Sequence, residues 1–312
     1  MNGIGATDPV RILMGVHNGA PYLPAQLRSI AAQNGVTWTL TCNDDASSDE
    51  SRSVITRFGQ NHPGRVTLKS GQRRGFSHNY LKLIAGLPEC PGLVALADQD
   101  DVWCANKLRR AAIWLARMPA EQPALYCARR WVWDGANEVR FGPDNRVKAP
   151  SFRNALVENI APGNTIVLNA AAAALARAAA RLTGPVFAHD WWLYLLISGA
   201  GGRILTDPSR VLFYRQHRTN AIGAGTGISG LVARKHAVLR GVFRARIAGN
   251  IAAMQDCAAF LTPENYATLD RFTNARKKPF PARIWALGQV APYRQSVSGS
   301  MGFWGAAALG KT

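Results

Sequence analysis

Short apolar runs and amphipathic stretches take turns along the first part of this chain. Val10–Val16 is almost continuously apolar and predicts a buried strand. Asn18-Gly19-Ala20-Pro21 then turns into a helix reaching about Gln33, where Leu23, Leu27 and Ile30 recur at helical spacing. Thr37–Cys42 predicts a second strand, and Ser47-Ser48-Asp49 offers capping side chains for a second helix. Arg65–Ser70 predicts a third strand. Gly75 precedes a helix in which Tyr80, Leu83, Ile84 and Leu87 share a face. Leu93–Ala97 is the fourth strand and Lys107–Met118 the helix after it. This alternation predicts an α/β fold, a parallel sheet covered on both faces. Ligands of such sheets bind beyond the carboxyl ends of the strands. The polar clusters lie there: His17-Asn18, Asn43-Asp44-Asp45, Arg73-Arg74 and Asp98–Asp101.

The pattern then changes. Ala124–Trp133 reads as a longer strand and Val139–Pro150 as a loop. Thr165–Leu168 predicts a further strand, followed by an alanine-rich helix to about Leu182. His189-Asp190-Trp191-Trp192 opens another helix, and Ile204–His217 reads as two short strands. Beyond Gly230 the sequence becomes helical and basic. The Gly-rich stretch Ile222–Gly230 marks the expected boundary, dividing residues 1–225 from a helical extension of residues 226–312.

The most informative chemistry is at the end of the fourth strand. Its apolar run stops in Asp98, Asp100 and Asp101. Side chains alternate along a strand, so Asp98 and Asp100 share a side. Adjacent carboxylates repel unless a cation neutralises them, and Mg²⁺ or Mn²⁺ favours a few carboxylates plus substrate phosphates. The segment therefore proposes a metal beside a nucleoside diphosphate. The alternative is an acidic loop capping a helix over Trp103–Met118.

The chain has 312 residues and a formal charge of +18. Such an excess attracts phosphorylated substrates, acidic lipid surfaces or nucleic acid. It is concentrated in the C-terminal helices and accompanies no recognisable nucleic-acid module, so nucleic acid is not an expected partner. Five cysteines without a CxxC pair argue against a disulfide framework and a structural zinc site. The N-terminus lacks an apolar signal region, and no apolar stretch reaches the length of a membrane span. The expectation is a cytoplasmic protein that touches a membrane without crossing it.

Six segments, in order, resemble the inverting family 2 glycosyltransferases, and most closely their bacterial rhamnosyltransferase-like branch. They are MGVHNGAPYLPAQLRSIAAQ (14–33), NDDASSD (43–49), RRGFSHNYLKLI (73–84), ADQDDVWCANKL (97–108), HDWWLYLL (189–196) and YRQHRTNAIG (214–223). The resemblance covers about residues 10–225 and implies the GT-A fold, a Rossmann-like, mostly parallel sheet flanked by helices. It also implies a nucleotide-sugar donor and a divalent metal, Mg²⁺ or Mn²⁺.

Roles follow from the resemblance. His17 and Asn18 belong to the nucleotide-sugar site. Asp44 and Asp45 would hold the base and ribose, or one of them would cap the next helix. Asp98 would face the ribose, and Asp100 would bind the metal. Asp101 would support the site or cap a helix. Arg73 or Arg74 would pair with phosphate, and Asn79 would lie near the nucleotide. His217 would be a further metal ligand, contact the diphosphate, or be a structural histidine. Arg215 would meet a phosphate or edge its strand. Asp190 would be the general base that takes the proton of the attacking hydroxyl, or else a helix cap. Trp191 and Trp192 would limit its hydration and face the acceptor, or belong to the core.

The sequence departs from the family at Val16-His17, Ala46 and Asn164. These positions touch nucleotide stacking, a turn and the acceptor wall. The acceptor is expected to be a glycan or a lipid-linked sugar. The basic extension, with Val242, Phe243, Ile247, Ile251, Phe280, Ile284, Trp285, Leu287, Phe303 and Trp304 among its cations, is expected to lie on an anionic membrane surface. The alternative is that these apolar residues pack on the rest of the chain or on a second copy.

Overall fold

In a computed structural model, residues 9–136, 138–141, 148–217 and 241–312 are described. The expected boundary at Ile222–Gly230 and the basic residues Arg234, Lys235 and Arg240 lie outside the described residues.

The first four strands are β1 (Val10–Val16), β2 (Trp38–Asp44), β3 (Val66–Ser70) and β4 (Val94–Ala97). They alternate with α1 (Leu23–Ala31), α2 (Ser51–Gln60) and α3 (Phe76–Ala85). They pair in parallel in the order β3-β2-β1-β4. The period-two rule shows in β1, which separates the two cores. Ile12, Met14 and Val16 pack with Leu23, Leu27 and Ile30 of α1, whereas Leu13 joins Leu81 and Ile84 of α3 on the other face. All four residues of β4 are buried, which places its carboxyl end deep in the molecule.

The second half of the sheet is mixed. A two-residue strand, β5 (Val102–Trp103), precedes α4 (Lys107–Leu115). Trp103 is thus in a strand and not in the helix expected to follow the aspartates. The strands β6 (Ala124–Trp133), β7 (Val139–Phe141), β8 (Val167–Leu168) and β9 (Arg203–Arg215) extend the order to β4-β8-β6-β9-β5, with β7 on β6. β8 runs antiparallel to β4 and β6, so only the first part of the sheet is purely parallel.

Two readings are corrected. Val139–Phe141 is a strand on β6, although its three residues are exposed and too few for their alternation to stand out. Ile204–His217 holds one continuous strand, not two. Asp207 and Arg210 pair with the consecutive residues Ala128 and Arg129, so Pro208 and Ser209 bulge out and pairing resumes.

The helices α5 (Phe152–Ala155), α6 (Ala170–Ala180) and α7 (His189–Gly199) complete the sheet's covering. Every residue of α7 except Asp190 is buried, as expected of a helix that is apolar all round. The C-terminal helices α8 (Val242–Asp256), α9 (Pro263–Lys277), α10 (Ala282–Val290) and α11 (Val297–Ala308) share its core. Ile247, Met254, Phe272, Leu287 and Phe303 join Trp192 and Ile197 there. Val242, Phe280 and Trp285 stay exposed. The apolar residues of the extension therefore divide between packing and surface. No helix among the described residues is long and apolar enough to cross a membrane.

Candidate active site

The carboxyl ends of β1, β2, β4 and β9 meet the amino ends of α3 and α7 around a cleft of about 890 Å³. Its lining includes His17, Asn18, Asp45, Arg73, Asn79, Asp98, Asp100, Asp190, Trp191 and His217. The strand-end clusters, far apart in sequence, thus come together as the alternating pattern implies.

Asp98 and Asp100 lie on one wall. Burial and then the neighbouring Asp100 push Asp98 up to about 7. The Tyr80 hydroxyl lies 2.5 Å from the Ala97 carbonyl and 3.1 Å from Asp98 Oδ1, so its single proton serves one of them. Asp100 Oδ2 is 2.7 Å from His217 Nε2, and the Asp100 carbonyl accepts from Arg215 Nε at 3.0 Å. Arg215 therefore braces the aspartate loop and is not among the cleft residues. The His217 ring stacks on Tyr22, with centroids 4.5 Å apart.

Asp101 is fully buried and caps no helix. Its Oδ2 accepts from Asn164 Nδ2 at 2.6 Å, while Lys107 Nζ donates to the Asn164 carbonyl at 2.8 Å. Burial holds Lys107 well below the ordinary lysine range, against the pull of Asp101 and Asp98, and holds Asp101 well above the carboxylate range. Lys107, Asn164 and Arg130, whose guanidinium covers Tyr214 at 4.1 Å, form the support behind the aspartates. Sequence reading assigned none of these three to the donor or metal site. The available signals were a lysine on the apolar face of α4, four residues before Ala111, and an arginine pair inside a largely apolar strand.

Among the described residues, no three His, Cys, Asp or Glu side chains already converge as a metal site. A carboxylate–imidazole pair beside a second carboxylate suits a divalent cation that takes its remaining ligands from a diphosphate.

The other strand-end residues organise the cleft floor. Asn79 Nδ2 donates to the Asn43 carbonyl at 2.9 Å. Asp45 accepts from the backbone N–H groups of Arg74 (3.3 Å) and Gly75 (2.9 Å), which fixes the entry to α3. Arg73 lines the cleft and Arg74 does not. The Asn18 side chain accepts from Ser48 N at 2.8 Å, and Gln99 holds both backbone groups of His17. Asp44 also departs from expectation: it does not line the cleft. Its carboxylate is used by Ser47 and by Arg52, at 3.0 Å from the guanidinium.

Asp190 sits in the first turn of α7, one position past its start. Ala188 occupies the N-cap, so the capping reading of Asp190 does not hold. The backbone N–H groups of Gly163 and Trp191 donate to its two oxygens at 3.2 and 2.7 Å. Burial raises its pKa, and these hydrogen bonds oppose the rise. A β-carbon on residue 163 would lie 3.0 Å from His189 Nε2, so glycine here lets the imidazole stay close to the loop. Trp191 lines the cleft, with its indole N–H on the Ala155 carbonyl at 2.7 Å. Trp192 is fully buried in the core and does not reach the acceptor side. His189, which sequence reading left without a role, stacks on Tyr80 at 3.8 Å, and burial lowers its pKa to about 3. The last unassigned member is Arg246, which α8 brings to the cleft.

The description "Glycosyl transferase family 2" matches residues 11–184. The chain belongs to glycosyl transferase family 2. This glycosyl transferase is 23% identical to the dTDP-rhamnosyl transferase RfbG of Shigella flexneri over 224 residues, 68% of this chain and 74% of the relative. It is 30% identical over 100 residues to the UDP-Glc:alpha-D-GlcNAc-diphosphoundecaprenol beta-1,3-glucosyltransferase WfgD of Escherichia coli, covering 32% of this chain and 38% of that protein. Among solved structures it resembles the mannosyltransferase PcManGT of Pyrobaculum calidifontis in complex with GDP-Man and Mn²⁺, at a TM-score of 0.52 and 21% identity, over 98% of this chain and 88% of that one. S. aureus TarS 1-349 in complex with UDP-GlcNAc gives a TM-score of 0.54 at 12% identity, over 91% of this chain and 80% of that one. These likenesses establish the GT-A fold.

The expectation that Asp190 is the general base is tested by Asp190→Asn, which keeps the shape and cannot accept a proton. Turnover is expected to fall by about a hundredfold or more, with donor affinity unchanged. In the unmodified enzyme the base must be ionised, and burial raises its pKa. The acid limb of the kcat profile should therefore lie above the usual carboxylate value, with activity falling as pH drops through it. Normal turnover in Asp190→Asn would exclude the role.

Proposed function

We propose that this glycosyl transferase moves a sugar, with rhamnose the first to test, from a nucleoside-diphosphate donor to a hydroxyl of a glycan or lipid-linked acceptor. The transfer inverts the anomeric carbon and serves bacterial surface polysaccharide synthesis. One observation carries the reading: a single cleft holds the Asp98–Asp100–His217 group on one wall and Asp190 at the head of α7.

Asp190 accepts the acceptor's proton as the hydroxyl attacks, so a single displacement suffices and no enzyme nucleophile forms. Gly163 and Trp191 N–H groups fix the carboxylate's direction, and the Trp191 ring limits its hydration. Asp100 and His217, with Asp98 beside them, would hold Mg²⁺ or Mn²⁺, whose charge stabilises the departing diphosphate. Asp45 and Asn79 shape the floor on which the nucleoside would rest. The rhamnosyl transferase relative supports the donor class, and the diphosphoundecaprenol-dependent relative supports a lipid-linked acceptor.

The donor assignment is testable by thermal shift with dTDP and UDP, each with and without Mn²⁺. The full chain should be stabilised by one of them only when Mn²⁺ is present. Asp100→Ala should lose that response while keeping its own unfolding midpoint. An Asp100→Ala protein that turns over normally and still needs the metal would refute the assignment.

The reading also places the protein at the inner face of the cytoplasmic membrane. Phe280, before α10, Trp285, in α10, and Met301, in α11, are exposed, and the first two are close in sequence to Arg276, Lys277 and Lys278. Exposed apolar groups among cations suit an anionic interface, each cation adding roughly 1 kcal/mol. Flotation with anionic vesicles should carry the full chain at low salt and release it at high salt. Failure to float at low salt would exclude this placement.

A further inference from the structure

Two arginines of the cleft, Arg73 and Arg246, make no hydrogen bond or ion pair among the described residues, and of these Arg246 is the one with a buried Nε. Its guanidinium lies 4.1 Å over the Phe187 ring. Its Nε is buried with no acceptor, and among the described residues its side chain has no hydrogen bond or ion pair. An arginine carries five donors and stays charged. Leaving them unused while partly removed from water is costly unless an anion arrives. Arg130, by contrast, is occupied by Asn164 and Tyr214.

Contacts run from Arg246 through the wall of the cleft. Asp98 meets the Tyr80 hydroxyl, the Tyr80 ring stacks on His189, and Phe187 lies two residues before His189 in the segment leading to Asp190. Arg246 packs on that Phe187, three residues before Asp190, and the Phe187 carbonyl accepts from Ser77 Oγ at the head of α3 at 2.9 Å, so Arg246 stands between the base and the floor of the cleft. Positive charge continues outward from it. Arg276 Nη2 lies 3.5 Å from the Arg244 carbonyl, and Arg294 lies over Phe243 at 5.8 Å. Only Glu158, 3.4 Å from Arg294, answers this group among the described residues.

We propose that Arg246 binds a phosphate of the acceptor, so that the enzyme recognises acceptors carrying a diphosphate as well as a sugar hydroxyl. This rests on Asp190 being the acceptor's base. A planar guanidinium forms paired, charge-assisted hydrogen bonds to phosphate oxygens, and the Phe187 ring holds the plane of that fork. The C-terminal helices thereby contribute to acceptor choice and not only to packing.

The test titrates undecyl diphosphate into the full chain with dTDP or UDP, whichever binds, and Mn²⁺ held at saturation; undecanol is the neutral control. The unmodified protein should bind the diphosphate saturably and well above undecanol. Arg246→Gln should lose about tenfold or more of that affinity with nucleotide affinity unchanged. Arg246→Lys keeps the charge without the planar fork and should lose part of the affinity, which makes the test independent of how the glutamine variant folds. Equal affinities in the unmodified protein and the variants would overturn the proposal. So would binding seen only when nucleotide is omitted, or a weakened nucleotide affinity in either variant, since Arg246 would then serve the donor. If neither nucleotide binds with Mn²⁺, the donor reading itself fails, and that is visible before the probe is added.

Discussion

The repulsion among three carboxylates at the end of one buried strand governs this molecule. Asp98, Asp100 and Asp101 follow β4 without an intervening polar linker, so the fold cannot carry them to the surface. The protein treats each one differently. Asp101 is sealed below the cleft against Asn164, whose carbonyl accepts from the buried amino group of Lys107. Asp100 is tied to His217, and its carbonyl to Arg215. Asp98 is left with a tyrosine hydroxyl and a pKa pushed up to about 7, chiefly by burial. Asp100 is thus paired within the protein, whereas Asp101 keeps its Oδ1 buried without a hydrogen-bond partner among the described residues. Asp98 faces the cleft beside Asp100, on the wall where we propose that a cation binds.

The rest of the architecture serves this arrangement. A parallel half-sheet brings β1, β2 and β4 to a common edge, where the nucleoside floor forms. The antiparallel insertion of β8 and β6 brings Asn164 and Arg130 behind the aspartates, and β9 returns His217 to Asp100. Opposite them, the buried helix α7 presents Asp190 from its first turn, where the helix dipole favours a carboxylate. Burial acts the other way and raises its pKa, as the proposed role of general base requires. The C-terminal helices close the cleft from α8 while sharing the α7 core.

Much of the first half was legible in the chain because periodicity and function coincide there. Each apolar run ends in a polar cluster, so Asp45, Asp98 and Asp100 stood out together, whereas Asn79, inside α3, stood out only through the family resemblance. The elements that escaped lacked such a pattern. β7 is exposed along its length, and the bulge at Pro208 and Ser209 disguised one strand as two. Asp44 looked equivalent to Asp45, but strand alternation and the nearby Arg52 turned it to a structural task. Trp192 shared a motif with Trp191, yet successive positions on a helix point in different directions, and only Trp191 reaches the cleft. Lys107, Asn164, Arg130 and Arg246 come from distant segments, and only tertiary structure brings them to one place.

The proposal that the wall of Asp98, Asp100 and His217 takes a cation is tested most directly by thermal unfolding between about pH 5 and 8, with a chelator or with Mn²⁺. Folded Asp98 keeps its proton up to about pH 7, whereas in an unfolded chain a carboxyl loses it near about pH 4. Across that interval the folded state holds a proton that the unfolded state lacks, so its stability falls as pH rises and levels off above it. With chelator, the unmodified protein should therefore lose more stability between pH 5 and 8 than Asp98→Asn does. Mn²⁺ should raise its midpoint more at pH 8 than at pH 5. The same pH dependence in both proteins, or an equal Mn²⁺ effect at both pH values, would contradict the account.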